Sequence, residues 1–503
     1  MGISSRRIQY ARKISAESGW SFLKSYRELE RVHQTYDISY KRYLDERFFE
    51  KPETWIVRRS LVLKRRATEN EAIICEISDE SGIPVTDIKS DIDACRKLYG
   101  GRLGAPTYRS YQIYKMSDDE KQAFINDLKK KDEFVEEFRS ILSEYDNNPE
   151  VLSDLSKIED NLKLFLHGFL SETKFEELCN LLKVTGIENN LKDVAADMEA
   201  TLYLLNLSYK EYIMFRLWDK SLSEKLDYIP DGNHTPMILH INGPEISALC
   251  NDKYKTYKKL ESYYCREMIL ITSTDDADLF LDYGRRHPKA VLKPYSSTKG
   301  KGVRLFDFED ELSDFTRDEA IRIIDNLLSE DGEFVLEELV HQHESLRVFN
   351  PDSVNTLRIL SYYDGDKVTI DGSLLRVGRA GAFVDNGGAG GILVGIDAST
   401  GRLNTGGFDQ AGNIFDRHPD TNVEFMDYQL PDWDAAVRLI ENVSKELGQY
   451  YIGWDITCTE DGDWIVIEAN GTPQFFGKQS TTGKGALPDF RRTVGEERFK
   501  RIV

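Results

Sequence analysis

The sequence is poor in the features that mark several protein classes. Its six cysteines form neither a C-x-x-C pair nor a regular framework, and scattered thiols of this kind are typical of a reducing cytoplasm. No run approaches the roughly 18 apolar residues of a membrane span. The N-terminal stretch MGISSRRIQYARKISAESGW is basic but has no apolar core, so it does not read as a secretory signal. We therefore expect a cytoplasmic protein without a membrane span.

The sequence also contains fewer basic than acidic residues. Lys and Arg number 66 against 87 Asp and Glu, which gives a formal net charge of -21. Without a bulk excess of cations that could neutralise phosphates, no nucleic-acid partner is expected. The motifs G-x-S-x-G, H-E-x-x-H and H-R-D are absent as well, which excludes the usual signatures of serine hydrolases, zinc proteases and protein kinases.

Residues 1–235 are predicted to form a mainly α-helical region. A helix is expected at 115–145, where Ser117 and Glu120 form a capping-box signature. Further helices are expected up to about 187 and at 191–207. A weak internal repeat relates YRSYQIYKM from Tyr108, followed by SDDEKQAFI, to YKEYIMFRLWDK from Tyr209, followed by SLSEKLDYI. A duplication and a chance similarity between amphipathic helices both explain it.

The pattern changes after Pro230-Asp231-Gly232. MILHI at 237–241 predicts a short strand, and helices and strands then alternate up to AVLKPY. From residue 333 onward strands dominate, interrupted by one helix at 433–447. The fold class expected is α+β, with a two-lobed unit after the helical region. Its N-terminal lobe spans 236–335 and its C-terminal lobe 336–503, joined near EFVLEELV.

Two carboxylates stand in what otherwise reads as a hydrophobic hairpin, WDITCTEDGDWIVIEANGTP. Asp461-Gly462 is a two-residue turn signal, and counting back from it places Asp455 opposite Glu468. Asn470 then shares the face of Glu468. Like charges at facing positions destabilise a strand pair unless a cation lies between them, and Mg²⁺ prefers such oxygen ligands. Solvated acids on an edge hairpin are the alternative.

Three other stretches carry chemistry-bearing residues. AVLKPYSSTKGKGVRLF combines Lys293 with a Gly-Lys loop that suits phosphates, or is simply a flexible basic turn. EFVLEELVHQHESLRVF can offer backbone groups to a purine edge, and its two histidines are too few to indicate a metal. LLRVGRAGAFVDNGGAGGILVGID brings arginines that suit phosphates or carboxylates, although ordinary strand charges would look the same.

Taken in order, these features resemble the ATP-grasp superfamily: a lysine strand with a Gly-rich loop, a hinge strand with Glu, and a late Asp followed by Glu-x-Asn. A closer resemblance is to the sugar-transfer-associated ATP-grasp family. It rests on SVNTLRI, LRVGRAGAFVDNGGAGGILVGID, STGRL, HPDT, LPDW and YIGWDIT, and it covers about 209–486.

The resemblance implies ATP and Mg²⁺ as cofactors and gives the candidate residues their roles. The implied metal ligands are Asp455, Glu468 and Asn470. The implied phosphate contacts are Lys253 and Lys293, under a loop of Ser297, Thr298, Lys299, Gly300 and Gly302. The implied adenine contacts are Glu337, Glu338, Leu339 and Val340, and the implied ribose contact is Glu344. The implied catalytic cations are Arg358, Arg376 and Arg379. Ligases of the D-alanine branch carry an Arg two residues before the metal Asp, whereas this chain has Gly453.

The resemblance implies an ATP-dependent ligase in bacterial surface-polysaccharide or related biosynthesis. A carboxylate would attack the γ-phosphate of ATP, and an amine would displace phosphate from the resulting acyl-phosphate. The suggested substrates are a small carboxylate and an amine, with a sugar acid or an amino acid as candidates, and a glycosyltransferase is a suggested partner of the N-terminal helices. The alternatives are a phosphotransferase on the same scaffold and a non-catalytic ATP-binding assembly protein.

Overall fold

A computed structural model describes residues 3–36, 38–51, 53–100, 103–145, 148–295, 302–312, 314–382, 385 and 390–500. The chain divides into two compact units. The first comprises Met1–Glu133 with Ser171–Lys174, and the second comprises Phe134–Leu170 with Phe175–Val503. Among the described residues, no helix combines the length and the apolar character needed to cross a bilayer.

Up to residue 264 the described chain is helical, as predicted for the N-terminal region. Its α-helices are α1 Ile3–Ser18, α2 Phe22–Tyr36, α3 Tyr40–Asp45, α4 Glu53–Ser81, α5 Val85–Tyr99, α6 Ala105–Ser110, α7 Asp118–Leu142, α8 Pro149–Phe169, α9 Glu172–Leu182, α10 Leu191–Leu205, α11 Tyr209–Met214, α12 Leu222–Leu226, α13 Asp231–Asn251 and α14 Lys253–Tyr264. The capping pair Ser117–Glu120 forms as expected, because the Ser117 backbone N–H donates to the Glu120 carboxylate at 2.7 Å.

The strand predicted at 237–241 is wrong, because these residues lie inside α13. The buried positions His234, Ile238, Ile241 and Ile246 recur at helical rather than strand spacing. The helix is kinked at Gly243, which precedes Pro244. Its Asn242 side chain donates to the carbonyls of Tyr451 and Gly471, so the kinked helix is fixed to the ends of two strands of the C-terminal lobe.

The internal repeat is present in the backbone, where the described residues contain three copies instead of two. Each copy is a six-residue helix, one residue at its C-cap, one left-handed residue and a three-residue 3-10 helix. The left-handed residues are Arg47, Gln112 and Arg216, with φ of 48°, 50° and 52°. The structure therefore aligns Tyr108 with Tyr212, three residues away from the alignment suggested by sequence. In each copy the fourth helical residue is a buried tyrosine: Tyr43, Tyr108 and Tyr212.

A four-stranded antiparallel sheet forms the first lobe after the helical region. Its strands are β1 Met268–Ile271, β2 Lys289–Pro294, β3 Arg304–Asp307 and β4 Phe334–Glu338, in the order β1-β4-β2-β3. Its helices are α15 Ala277–Arg286, α16 Phe308–Glu311 and α17 Arg317–Asp331. An apolar cluster that includes Phe280, Phe308 and Ile324 packs these helices on the sheet and fixes where β2 and β4 present their side chains.

A seven-stranded antiparallel sheet forms the second lobe. Its strands are β5 Thr356–Tyr363, β6 Val368–Val377, β7 Ile392–Asp397, β8 Arg402–Phe408, β9 Ile414–Phe415, β10 Tyr451–Cys458 and β11 Trp464–Asn470, in the order β11-β10-β5-β6-β7-β8-β9. Its helices are α18 Glu344–Arg347, α19 Trp433–Leu447, α20 Phe476–Thr482, α21 Leu487–Val494 and α22 Glu496–Phe499. The amphipathic helix α19 buries Ile440 and Val443 in the core beside Trp454.

A buried polar network explains the stretch SVNTLRI, which leads into β5. Asn355 is fully buried and donates its side-chain amide to carbonyl oxygens of Gln342, Leu346 and Asn350. Its side-chain oxygen accepts from the backbone N–H of Gly378 at 3.2 Å. One asparagine thus ties the segment after β4, the start of β5 and the end of β6 together, and its own buried polar atoms are all hydrogen-bonded.

Candidate active site

The two carboxylates of the hairpin lie opposite each other, as predicted. Asp455 on β10 pairs with Glu468 on β11, and on its other side Asp455 pairs with Arg358 on β5. Three neighbouring strands therefore present Arg358, Asp455 and Glu468 in one row. The central position of β10, between two hydrogen-bonded neighbours, makes this row part of a rigid sheet.

The turn that sets this register differs from the prediction. Near the turn, Cys458 pairs with Trp464 and Ile456 with Val466, which is one residue out of step with a two-residue loop at Asp461-Gly462. A longer loop with Gly462 at φ 91° replaces it. A bulge in the ladder next to Asp455 takes up the extra residue, so the predicted pairing of the two carboxylates survives.

Asp455 is held by two arginine side chains. Its side chain is 5% exposed, and Arg358 donates to it from Nε at 2.5 Å and from Nη2 at 2.9 Å. Arg376, on β6, adds a third bond from Nη1 at 2.9 Å. Burial alone would raise the pKa of Asp455, but the two guanidinium groups outweigh it and lower that pKa. Three of the roughly four lone-pair positions of the carboxylate are occupied, which leaves one.

The environment of Glu468 differs from that of Asp455, the residue it faces. It is exposed, and no hydrogen bond or ion pair joins its carboxylate to another residue that the structure describes. Surrounding protein and the facing Asp455 carboxylate raise the pKa of Glu468, while Lys293, Arg358 and Lys253 act in the opposite direction. A carboxylate that is close to four charged groups and ion-paired with none is available to an added ligand.

Asn470 and Gly453 complete this end of the hairpin. They pair across β10 and β11, and the Asn470 amide donates to the Gly453 carbonyl at 3.2 Å, which leaves the amide oxygen for another contact. A Cβ at Gly453 would lie 2.7 Å from Cβ of Pro473 and 3.4 Å from Cδ of Arg358. A larger side chain at position 453 would therefore collide with Pro473, and the space beside it is already taken by Arg358.

Lys293 and Glu337 form a buried ion pair on the sheet of the first lobe. Lys293 Nζ lies 2.8 Å from Glu337 Oε1, and the other oxygen of Glu337 accepts from Nε and Nη2 of Arg266 at 3.2 and 3.0 Å. Burial would raise the pKa of Glu337, but Lys293 and Arg266 together lower it. Arg266 also donates to the carbonyls of Val466 and Ile467 on β11, at 2.6 and 3.2 Å.

Lys253 lies at the start of α14, after its N-cap Asp252. Its ammonium donates to the Tyr295 carbonyl at 3.3 Å, at the end of β2. Burial and the like charge of Lys293 lower the pKa of Lys253, and Glu468 and Glu337 partly compensate. Both predicted phosphate lysines therefore lie within electrostatic reach of Glu468.

Most of the predicted phosphate loop falls outside the described residues: Ser297, Thr298, Lys299 and Gly300. Gly302, which ends the loop, is described. Its φ is 77°, and a Cβ there would lie 2.7 Å from Cγ of Pro294. A side chain is therefore excluded both by conformation and by space, which explains the glycine at this position.

The segment after β4 holds the predicted adenine and ribose contacts. Glu338 is half-buried and accepts from the backbone N–H of Glu267 at 3.1 Å. Leu339 and Val340 follow the strand, and no backbone hydrogen bond outside the strand ladders uses them in the described part of the chain. Glu344 is exposed at the start of α18. His343 caps that helix by accepting from Ser345 N at 3.2 Å, so it has a local structural role.

Arg379 is not brought to Asp455. Its guanidinium is bidentate to Asp420, with Nε and Nη2 at 2.7 and 3.0 Å, and the same carboxylate accepts from the Ala380 N–H. Arg379 and that N–H lower the pKa of Asp420 well below its usual range. The Gly381 N–H is held by Asp352 at 3.1 Å. This cluster fixes the first residues of the Gly-rich segment rather than the carboxylate pair.

Sequence reasoning missed Arg266 and Asp385. Asp385 is buried and accepts from the backbone and the hydroxyl of Thr356, and from Arg376 at 3.0 Å. Burial raises the pKa of Asp385, and Arg376 partly offsets this. The stretch RVGRAGAFVDNGG indicates a segment with charged residues, but it does not show that Asp385 is the acid that pairs with Arg376 on β6. The local sequence CREM, from Cys265 to Met268, does not indicate that Arg266 binds residues of both lobes.

Asp455, Glu468 and Asn470 offer oxygen atoms on two paired strands, which is the donor chemistry that Mg²⁺ accepts. Glu468 is without a partner in the described structure, Asn470 has a spare amide oxygen, and Asp455 has one lone-pair position left. The donor set fits a divalent cation. The site combines two carboxylates with an amide, and the described residues contain no group of three or more His, Cys, Asp or Glu residues placed to hold a metal ion.

A family model described as sugar-transfer associated ATP-grasp matches residues 233–494, which is just over half of the chain. The chain belongs to this family. The ATP-grasp membership confirms the predicted family and α+β fold, and it supports the predicted cofactors, ATP and Mg²⁺. Among curated proteins, no match is found.

Solved structures similar to this ATP-grasp chain are distant. The ATP-grasp ligase PsnB complexed with minimal precursor has 14% identity and a TM-score of 0.31, over 49% of this chain and 61% of its own. D-alanyl-alanine synthetase A from Vibrio cholerae has 12% identity and a TM-score of 0.30, over 52% and 65%. L-amino acid ligase from Bacillus licheniformis has 14% identity and a TM-score of 0.30, over 50% of each chain. The chain thus spans less than two thirds of these proteins, and the assignment rests on the family model.

Proposed function

We propose that this ATP-grasp protein is an ADP-forming carboxylate–amine ligase. The observation that carries the proposal is the row Arg358, Asp455 and Glu468, with Lys253 and Lys293 close enough to influence the pKa of Glu468. This arrangement can hold a cation and a polyphosphate side by side. A Ser or Cys nucleophile is not needed when a substrate carboxylate attacks ATP.

Asp455, Glu468 and Asn470 would hold Mg²⁺. When bound, the ion neutralises charge on the phosphates of ATP and on the transferring phosphoryl group. Arg358 and Arg376 fix the orientation of Asp455, so this ligand is preorganised by the sheet. Glu468 contributes a negative charge that no cation among the described residues pairs with.

Lys253 and Lys293 would contact the phosphates. Lys293 is held at 2.8 Å by Glu337, and Glu337 in turn is fixed by Arg266. We therefore assign Glu337 a positioning role for the lysine in addition to the predicted contact with the adenine amino group. The unused backbone groups of Leu339 and Val340 suit the edge of a purine, and exposed Glu344 suits a ribose hydroxyl.

Arg358 is our candidate for the cation that the D-alanine branch carries two residues before its metal Asp. Its side chain occupies the space beside Gly453, where a side chain has no room. Its guanidinium already lies on the metal ligand Asp455, within reach of charge that develops on a phosphoryl group. Arg376 supports it through Asp455 and Asp385, whereas Arg379 anchors the Gly-rich segment through Asp420.

The substrate side of the proposal is coarser. A sugar acid or an amino acid in surface-polysaccharide biosynthesis agrees with the family description. A glycosyltransferase partner for the N-terminal helices and a cytoplasmic location belong to the same proposal. The domain limits at residues 235 and 335 are also part of this proposal. With these limits, the strand that carries Lys293 and the hairpin that carries the metal ligands belong to different lobes.

A coupled phosphate-release assay tests the reaction. Pools of carboxylic acids and amines are supplied with MgATP, and we expect ADP and phosphate only when an acid and an amine are both present. Phosphate release with neither substrate present would indicate a simple ATPase. A stable phosphorylated product would indicate a phosphotransferase, and either result would contradict the ligase proposal.

A further inference from the structure

A groove of about 530 Å³ lies away from the residues assigned to ATP. One wall is the segment from Val184 to Trp218, which contains the third copy of the repeat. The other wall is the end of β8, the turn and β9, from Phe408 to Phe415. Trp218, Phe408 and Phe415 give it aromatic surfaces, and all three are partly exposed. Arg216 supplies the one cationic side chain of its lining.

The other copies of the repeat serve as an internal comparison for Arg216. In the first copy, Arg47 occupies the same left-handed position and is paired with Glu17 and Glu50. In the second copy, Gln112 is there and donates to Thr173 at 2.7 Å. In both copies, the side chain at the left-handed position has an ion-pair or hydrogen-bond partner nearby. The backbone conformation of the repeat therefore does not require a cation without such a partner at this position.

Arg216 differs, because no carboxylate pairs with it among the residues that the structure describes. It is exposed, and its guanidinium lies over the Trp218 ring at 5.3 Å from the centroid. Asp409, the acid at the turn of the β8–β9 hairpin, is already held by the N–H groups of Ala411 and Asn413 and by the Asn413 amide. In a chain of net charge -21, an arginine left facing an aromatic groove indicates an anionic ligand.

The partly exposed aromatic rings limit how apolar the rest of that ligand can be. A purely apolar molecule would leave much of its surface in water. A pyranose ring has an apolar face that can lie against Trp218, and its hydroxyl groups can stay hydrated on the open side. A carboxylate on that ring would pair with Arg216 in the two-pronged geometry that a guanidinium favours.

We propose that this groove binds a sugar acid through Arg216 and Trp218. The site shares no residue with the proposed nucleotide site, so its binding does not depend on the ligase reaction. The groove and the proposed nucleotide site belong to the same compact unit.

Ligand-observed NMR with the full-length protein tests the site, using D-glucuronate, D-glucose and 3-phenylpropionate as probes at millimolar concentration. We expect D-glucuronate to bind at least about tenfold more tightly than D-glucose, since only the former offers a carboxylate to the guanidinium. Arg216→Gln should remove that tenfold preference. The matched variant Arg47→Gln, at the same backbone position in the first copy, should keep it. Glu468→Gln should also leave glucuronate binding unchanged, which separates this site from the proposed function.

Three results would overturn the proposal. Equal binding of D-glucuronate and D-glucose would remove the role of the carboxylate. Tighter binding of 3-phenylpropionate than of D-glucuronate would show an apolar-acid site instead. Absence of glucuronate binding to the wild-type protein, or unchanged binding in Arg216→Gln, would show that the groove does not hold this ligand.

Discussion

Glu468→Gln is expected to remove most of the stabilisation that MgATP gives the protein. At a concentration of 100 times the wild-type Kd, MgATP should raise the free energy of unfolding by about 2.7 kcal/mol. Loss of a charged metal ligand should weaken binding about 100-fold or more, which at the same concentration leaves about 0.4 kcal/mol. Phosphate release in the coupled assay should fall by at least a similar factor.

The same substitution should not destabilise the protein without nucleotide. The pKa of Glu468 is raised, so the folded state disfavours its ionised form, and a neutral glutamine removes a charge facing Asp455. Thermal unfolding with and without MgATP separates the two effects. Glu460→Gln, at an exposed position of the same hairpin, is the matched control and should keep the full MgATP stabilisation. An unchanged MgATP effect in Glu468→Gln would show that this carboxylate is not a metal ligand.

Asp455→Ala is expected to have the largest effect on stability. It removes the carboxylate that pairs with Arg358, and it leaves Arg376 with Asp385 as its remaining buried partner. Breaking a buried ion pair by removing one partner costs about 3–5 kcal/mol of unfolding free energy. Chemical denaturation monitored by circular dichroism measures this loss.

Asp420→Ala is the matched comparison, because Asp420 also binds an arginine in a bidentate fashion but at a more exposed position. Its loss should cost about 1 kcal/mol or less. If the two variants lose equal stability, the charge pairing at Asp455 is not the buried, tightly coupled arrangement described above.

The pairing of Asp455 with Glu468 could be predicted from the sequence, but not for the reason given. The loop is longer than the Asp461-Gly462 signal indicates, and the bulge beside Asp455 compensates for it. Turn signals and bulges are separate local features, and only the latter depends on the packing of neighbouring strands. Most strands around the site can be predicted because apolar and β-branched residues dominate them in spite of the charged residues that they carry.

Residues 237–241 show where local pattern fails. MILHI has a strand-like composition, but its burial follows the helical spacing set by the residues around it. Arg266 and Asp385 show a second limit. Each gains its role from partners far away in the sequence, Arg266 from Glu337 and β11, and Asp385 from Thr356 and Arg376. Only the packed sheet brings these groups together.

The first copy of the repeat, from Tyr40, shows the reverse case. Its sequence differs from that of the other two copies so much that the sequence alone indicates only two. The backbone nevertheless repeats the left-handed residue and the short 3-10 helix at Arg47, Gln112 and Arg216. Conformation is thus retained where sequence similarity is lost, and Arg216 is the member of the set whose side chain has no ion-pair or hydrogen-bond partner among the described residues.

Isotope transfer tests the central claim most directly. An acid that supports turnover in the coupled assay is labelled with ¹⁸O in its carboxylate, and the phosphate released with the amine present is analysed by mass spectrometry. The ligase account predicts one ¹⁸O atom in the phosphate, because the acyl-phosphate passes a carboxylate oxygen to it when the amine attacks. Unlabelled phosphate, with all label retained in the acid or its product, would contradict the account.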